Sequence, residues 1–217
     1  MKRRAFLGLL ALPLLIPAVA TAQVGAAPLT PQDQADLARI EAYLNSIKTL
    51  KARFLQVSPD GTTSTGTAWI DRPGRMRFEY DPPSPLLLVA GGGLVVFHDF
   101  QLNQTSNLFI GQTPLGILLG DHIELSGRVT VTAMQRLPGQ IQVTMVRTAS
   151  PGDGSLTLVF SDDPLALRQW SVMDAQRKET RVTLYEVVLG GTFDQSMFYL
   201  ANPSEPPRRY SVPGSHG

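Results

Sequence analysis

The chain contains no cysteine at all. It therefore has no disulfide and no thiol chemistry, and it lacks the lipid-attachment cysteine that follows the leader of an exported bacterial lipoprotein. Histidine is scarce too. His98 closes an expected strand, His122 follows an apolar segment and His216 lies near the end of the chain, and no H-E-x-x-H or paired ligand spacing joins them. The chain has no G-x-S-x-G elbow for a nucleophile, no G-x-x-x-x-G-K-[ST] phosphate loop and no G-x-G-x-x-G fingerprint. Gly91-Gly92-Gly93 reads instead as a hairpin turn, and Asp162-Asp163 as turn or rim acids. These absences leave no catalytic residue, no metal site and no cofactor to expect. Charge is also sparse, at 17% of residues with a formal net of +1, and it forms neither a basic stripe nor an acidic tail, so a nucleic-acid partner is not expected.

Missing as well is any apolar run of the roughly 20 residues that a membrane-spanning helix needs. The stretch from Phe6 to about Val19 is shorter and is interrupted by Pro13 and Pro17. Preceded by Lys2, Arg3 and Arg4 and followed by Ala20-Thr21-Ala22, it reads as a secretory signal over residues 1–22, cleaved before Gln23. Arg3-Arg4-Ala5-Phe6-Leu7 fits either a twin-arginine signal or an ordinary basic leader. Removing the three leader cations from 19 leaves 16 against 18 acids, so the mature chain would carry −2. A soluble exported protein is the expectation.

What the chain has in quantity is turn residues, 19 glycines and 17 prolines in 217 positions, which favours a β-rich domain over a helical bundle. The most ordered pattern is Gly66 to Tyr80, GTAWIDRPGRMRFEY. Here Gly66, Ala68 and Ile70 share one face of a strand and Met76, Phe78 and Tyr80 share one face of the next, with Arg72 and Pro73-Gly74 at the corner. A helix is expected after Thr30-Pro31-Gln32-Asp33, which supplies an N-cap, a first-turn proline and a first-turn acid. Leu37, Ile40, Leu44 and Ile47 would lay its apolar stripe on a sheet.

From residue 51 onward the period is two. Strands are expected near 51–58, 63–71, 75–80, 86–90, 94–99, 102–108, 128–136, 140–148, 155–161, 167–174 and 179–189. So many consecutive short strands predict an antiparallel meander of about eleven strands, curled into an incomplete, strongly curved β-barrel in an α+β domain over residues 23–201. Thr113-Pro114-Leu115-Gly116-Ile117-Leu118-Leu119-Gly120 breaks the pattern and predicts a short apolar helix. Being apolar nearly all round, it would either pack as a plain crossover or close the barrel mouth as a lid through Pro114, Leu115, Leu118 and Leu119. Residues 202–217, with Pro203, Pro206, Pro207 and Pro213, predict a flexible tail.

Several of these features occur together in one known family. Leu50-x-x-x-Phe54-x-Gln56, Gly66-x-x-Trp69-x-x-Arg72-Pro73-Gly74-Arg75-x-Arg77-Phe78-x-Tyr80, Pro82-Pro83, Gln104-Thr105 and the Thr113-Pro114 segment resemble the periplasmic outer-membrane lipoprotein carrier (LolA) family over roughly residues 32–200. Val96, His98 and the glycine triplet depart from its usual aromatic residues and Asp-Gly turn. The resemblance implies a curved barrel closed by helices, whose apolar interior holds lipoprotein acyl chains. It implies a monomeric periplasmic protein that receives cargo from an inner-membrane ABC-type extractor and passes it to an outer-membrane acceptor. Arg72 takes the position of the family's gate arginine, which ties barrel to lid.

Phe54, Trp69, Met76, Phe78, Leu87 and Val89 are the candidate lining residues of such an interior. Burying one sixteen-carbon chain is worth of order 10 kcal/mol, at about 0.8 kcal/mol per methylene. A carrier therefore needs a lid whose own closure competes with cargo. Two alternatives accompany this reading: a carrier or sensor of another lipid or glycolipid on the same fold, and a lipid-processing enzyme, which would lack residues to act through.

Overall fold

A computed structural model describes residues 26–200. The single α-helix among the described residues, α1 (Pro31–Ser46), begins where the sequence places a cap: the Asp33 amide donates to the Thr30 hydroxyl at 3.1 Å and the Thr30 amide donates to the Asp33 carboxylate at 2.8 Å. Leu37, Ile40 and Leu44 form its buried stripe. Asp33 and Asp36 on the first turns receive Arg136 at 2.7 and 2.6 Å, which fixes the start of the helix to a distant strand.

Eleven antiparallel strands follow: β1 (Thr49–Val57), β2 (Thr63–Asp71), β3 (Arg75–Tyr80), β4 (Leu86–Gly91), β5 (Leu94–Asp99), β6 (Gln104–Phe109), β7 (Val129–Leu137), β8 (Gln140–Arg147), β9 (Gly154–Ser161), β10 (Ala166–Asp174) and β11 (Glu179–Leu189). They form one sheet in the order β6-β5-β4-β3-β2-β1-β11-β10-β9-β8-β7. Two meanders, β1 to β6 and β7 to β11, are thus joined edge to edge where β1 pairs with β11.

This corrects the expected barrel. The sheet is open, neither closed nor strongly curled, and β6 and β7 are its two ends with no pairing between them. The chain between them, residues 110–128, does not continue the meander but crosses the core face. The β6 end carries exposed Gln104, Thr105, Ser106 and Asn107, polar residues suited to an edge. The expected second helix is also corrected. Residues 110–117 form two 3-10 turns, Ile110–Gln112 and Pro114–Ile117. Their amides bond three residues back, Thr113 to Ile110 at 3.1 Å, Gly116 to Thr113 at 3.1 Å and Leu118 to Leu115 at 3.0 Å. The chain doubles back so tightly that a Cβ on Gly116 would stand 2.4 Å from the Ile110 oxygen, so this close approach requires glycine.

One large apolar cluster lies on the sheet face covered by α1 and by residues 110–125. It contains Ile40 and Leu44 of α1, Phe54, Met76 and Phe78 of the first meander, Ile141, Val143 and Met145 of β8, and Leu118, Leu119, Ile123 and Leu125 of the crossing segment. A smaller cluster on the opposite face joins Trp69 to Met197 and Phe198, the latter two in a 3-10 turn after β11. Among the described residues no helix is long and apolar enough to cross a membrane.

Candidate functional site: a tethered segment over an apolar sheet face

Period-two geometry decides which residues can meet. The tight corner at Arg72-Pro73-Gly74 sets Asp71 opposite Arg75, hence Ile70 opposite Met76, Ala68 opposite Phe78 and Gly66 opposite Tyr80, all on the core face. Phe54 arrives on that face from β1, opposite Gly66. Its ring centroid lies 4.7 Å from Phe78 and 5.2 Å from Tyr80, and Phe78 lies 6.0 Å from Trp170 of β10. These rings pack against one another on the core face. Tyr80 donates its hydroxyl to Gln56 at 2.8 Å, and burial pushes that phenol up to about 12.

The same register sends the other three expected lining residues elsewhere. Trp69 stands opposite Arg77, Val89 opposite Arg77 and Val96, and Leu87 opposite Glu79 and His98, so all three occupy the reverse face. Trp69 packs there with Met197 and Phe198, while Val89 and Phe198 line a hollow of about 320 Å³ with Leu94 and Val96. Arg77 donates to the Met197 carbonyl at 2.8 Å and holds this C-terminal turn against the sheet.

The crossing segment is held down chiefly at its C-terminal half, and the holding groups converge on one side chain. Arg72 is only 7% exposed although it sits in a turn. Its Nη1 donates to the Leu44 and Ile47 carbonyls at 2.5 and 3.0 Å, which caps the end of α1. Nε donates to the Gly120 carbonyl at 2.9 Å and Nη2 to that of Asp121 at 3.1 Å. The guanidinium therefore bridges helix end and segment through main-chain oxygens, and burial lowers its pKa while nearby Asp121 opposes that shift. The Gly74 amide donates to the Leu119 carbonyl at 2.8 Å, so the strand corner holds the segment twice.

Two residues that sequence reasoning missed complete the attachment. Asn45 of α1 donates through Nδ2 to the Ile123 carbonyl at 2.8 Å and accepts the Ile123 amide at 2.9 Å, and Glu41 accepts the Leu125 amide at 2.5 Å. Both are polar residues on an exposed-looking helix flank, and nothing in their spacing distinguishes them from solvated side chains. Of the expected lid residues, Leu118 and Leu119 are buried in the core, Leu115 packs against it half-buried, and Pro114 is buried. Among the described residues no group of three His, Asp or Glu side chains could hold a metal ion. The arrangement consists of an apolar face, a cover and hydrogen bonds whose breaking would uncover it.

Comparisons with known proteins bear on what such a cover serves. The sequence profile of the family described as "Outer membrane lipoprotein carrier protein LolA" matches residues 45–201. The chain is 30% identical over 210 residues to an outer-membrane lipoprotein carrier protein of Methylococcus capsulatus, covering 92% of this chain and 95% of that protein. It is 25% identical over 189 residues to the protein of the same description from Pseudomonas aeruginosa, covering 83% and 90%. Among solved structures, a LolA superfamily protein from Nitrosomonas europaea aligns with a TM-score of 0.42 and 7% identity, covering 76% of this chain and 97% of that one.

Proposed function

The chain belongs to the outer membrane lipoprotein carrier protein LolA family, and from that premise we infer that it is a periplasmic, non-catalytic carrier of lipoproteins. The cargo part of a lipoprotein that needs shelter from water is its acyl chains, and the apolar sheet face is where this protein would shelter them. Phe54, Met76 and Phe78 would line that shelter, and Trp69, Leu87 and Val89, on the other face, would support it from behind. The observation that carries the reading is the position of Arg72, a buried cation whose donors go to main-chain oxygens of α1 and of the cover.

In this reading Arg72 is the gate, and Pro114, Leu115, Leu118 and Leu119 belong to the cover that it holds. The rings now packed at Phe54, Phe78 and Tyr80 fill space that cargo would take. Binding must therefore separate packed groups, and closure competes with cargo. That competition lets a carrier release chains whose burial is worth of order 10 kcal/mol each. Residues 1–22 would direct export and be removed, residues 23–201 would form the carrier domain, and residues 202–217 a tail; the first and last of these lie outside the described residues. The protein would act as a monomer, taking lipoprotein from an ATP-driven inner-membrane extractor and delivering it to an outer-membrane acceptor.

The test is incubation of the purified protein with inner-membrane vesicles that carry radiolabelled lipoprotein, with and without ATP. Soluble one-to-one complexes that appear with ATP support the carrier. Recovery of only free phospholipid or glycolipid on the protein overturns it.

A further inference from the structure

The crossing segment is attached unevenly. From Leu119 to Leu125 it is tied by Arg72, Gly74, Asn45 and Glu41. From Gly111 to Ile117, the described hydrogen bonds to other elements reduce to one: Arg147 Nη1 donates to the Gly111 carbonyl. Arg147 is the last residue of β8, and alternation puts it on the same face as Ile141, Val143 and Met145, all buried in the core. It thus ends an apolar row with a cation at the rim. Its Nη2 pairs with Asp153, and its Nε is buried with no acceptor among the described residues. Beside it a cleft of about 940 Å³ separates Gly111, Gly116 and Ile117 of the segment from Val129 and Thr148 of the sheet end.

We propose that this cleft is the port through which acyl chains reach the apolar face, and that Arg147 binds the ester and amide carbonyls at the head of acylated cargo. The inference rests on the carrier reading. A buried donor without an acceptor lacks a partner that a carbonyl-rich ligand supplies, and the Gly111 oxygen is a single neutral acceptor that such a ligand replaces. The segment then lifts first from its weakly attached Gly111 side, ahead of the firmly tied part near Gly120 that Arg72 gates. Arg147 is a ligand-binding residue in this scheme, and Arg72 remains the gate at the other end of the segment.

The absence of cysteine makes the test clean, because introduced thiols are the only ones. Nitroxide labels at Gly111→Cys with Ala149→Cys report the port, and labels at the exposed Ser46→Cys with Asp121→Cys report the Arg72 side. Loading with a synthetic dipalmitoyl lipopeptide is expected to lengthen the first distance by more than the second; a larger change in the second overturns the proposal. In the unlabelled chain the ester-linked lipopeptide should bind roughly tenfold more tightly than its ether-linked analogue, the effect of one charge-assisted hydrogen bond, and Arg147→Gln should erase that preference. An equal preference in wild type and variant overturns the role of Arg147. Should the wild type bind neither lipopeptide, the carrier reading itself fails. In that case widening of the 111–149 distance by Arg147→Gln in the unloaded protein would still show that Arg147 holds Gly111 down, but the port would be overturned with the carrier reading.

Discussion

The ring of Phe54 lies across Gly66 on the paired strand so closely that a Cβ at position 66 would stand 2.6 Å from its Cε1 and Cζ atoms. The same Cβ would stand 2.1 Å from the Glu79 carbonyl oxygen on the other neighbouring strand. Gly66 is needed here for space, since its φ is not in the left-handed region. The ring can tilt away from an added methyl group, but the β3 backbone cannot move without breaking its pairing with β2. Gly66→Ala is therefore expected to destabilise the fold by about 3 kcal/mol, at the upper end of ordinary overpacking. The midpoint of urea unfolding measures this, and a variant within about 0.5 kcal/mol of wild type would show that the sheet yields easily at this point.

Arg72 serves four main-chain carbonyls at once, so replacing it with leucine removes donors from Leu44, Ile47, Gly120 and Asp121 together. Water can reach the last two more readily than the first two. A loss of about 3 kcal/mol is expected for Arg72→Leu, and less for Arg72→Lys, which keeps the charge but not the forked donors. Hydrogen exchange distinguishes loosening of the cover from general unfolding. Faster exchange at Leu118 and Ile123 with unchanged protection in β1 and β2 is the expected result. Uniform acceleration across the sheet would mean that Arg72 supports the whole fold.

Local order was largely legible in the sequence, and long-range closure was not. The bounds of β2, β3 and β11 follow directly from alternation between turn residues, and α1 follows from Thr30-Pro31 and its apolar stripe. No local pattern states that β1 pairs with β11, or that β6 and β7 stay apart, because those relations depend on where residues 110–128 travel. The apolar content of 113–120 suggests a helix, but Pro114 and the two glycines at 116 and 120 favour tight turns instead. The six candidate lining residues divide between two faces by register. The tight corner at Pro73-Gly74 settles Trp69 opposite Arg77, and the turn into β4 settles Leu87 and Val89. Asn45, Glu41 and Arg147 act through backbone partners 78, 84 and 36 residues away, and single-sequence reading has no signal for such pairings.

Trp69 separates the two faces experimentally. It is buried against Met197 and Phe198, with the Lys51 ammonium 5.9 Å from its ring centroid, and it makes no part of the large core. Trp69→Ala is expected to cost about 3 kcal/mol through the cavity it leaves and to release the turn at Gln195–Phe198. Lipopeptide affinity should change less than threefold where the variant remains folded, whereas Phe78→Ala, on the covered face, should change it more than tenfold. Equal effects of the two substitutions on affinity would mean that cargo is sensed on both faces.

The start of α1 gives a pH dependence whose sign can be worked out. The Thr30 hydroxyl and amide, followed by Arg136, hold the Asp33 carboxyl at about 2, below its ordinary 3.8. A depressed carboxylate stabilises the folded state above the unfolded value, and that contribution is lost as pH falls through the folded value. The window is therefore from about pH 4 down to about pH 2. Other acids also protonate there, so an acid-induced fall in Tm by itself identifies nothing. Asp33→Asn does. It should lower Tm at pH 6 by weakening both the cap and the link from Arg136 to the helix. The gap between wild type and variant should then narrow steadily below pH 4 as the wild-type carboxyl becomes neutral. A gap that persists unchanged at pH 2 would mean that Asp33 contributes through its shape and hydrogen bonds alone, with no share from its charge.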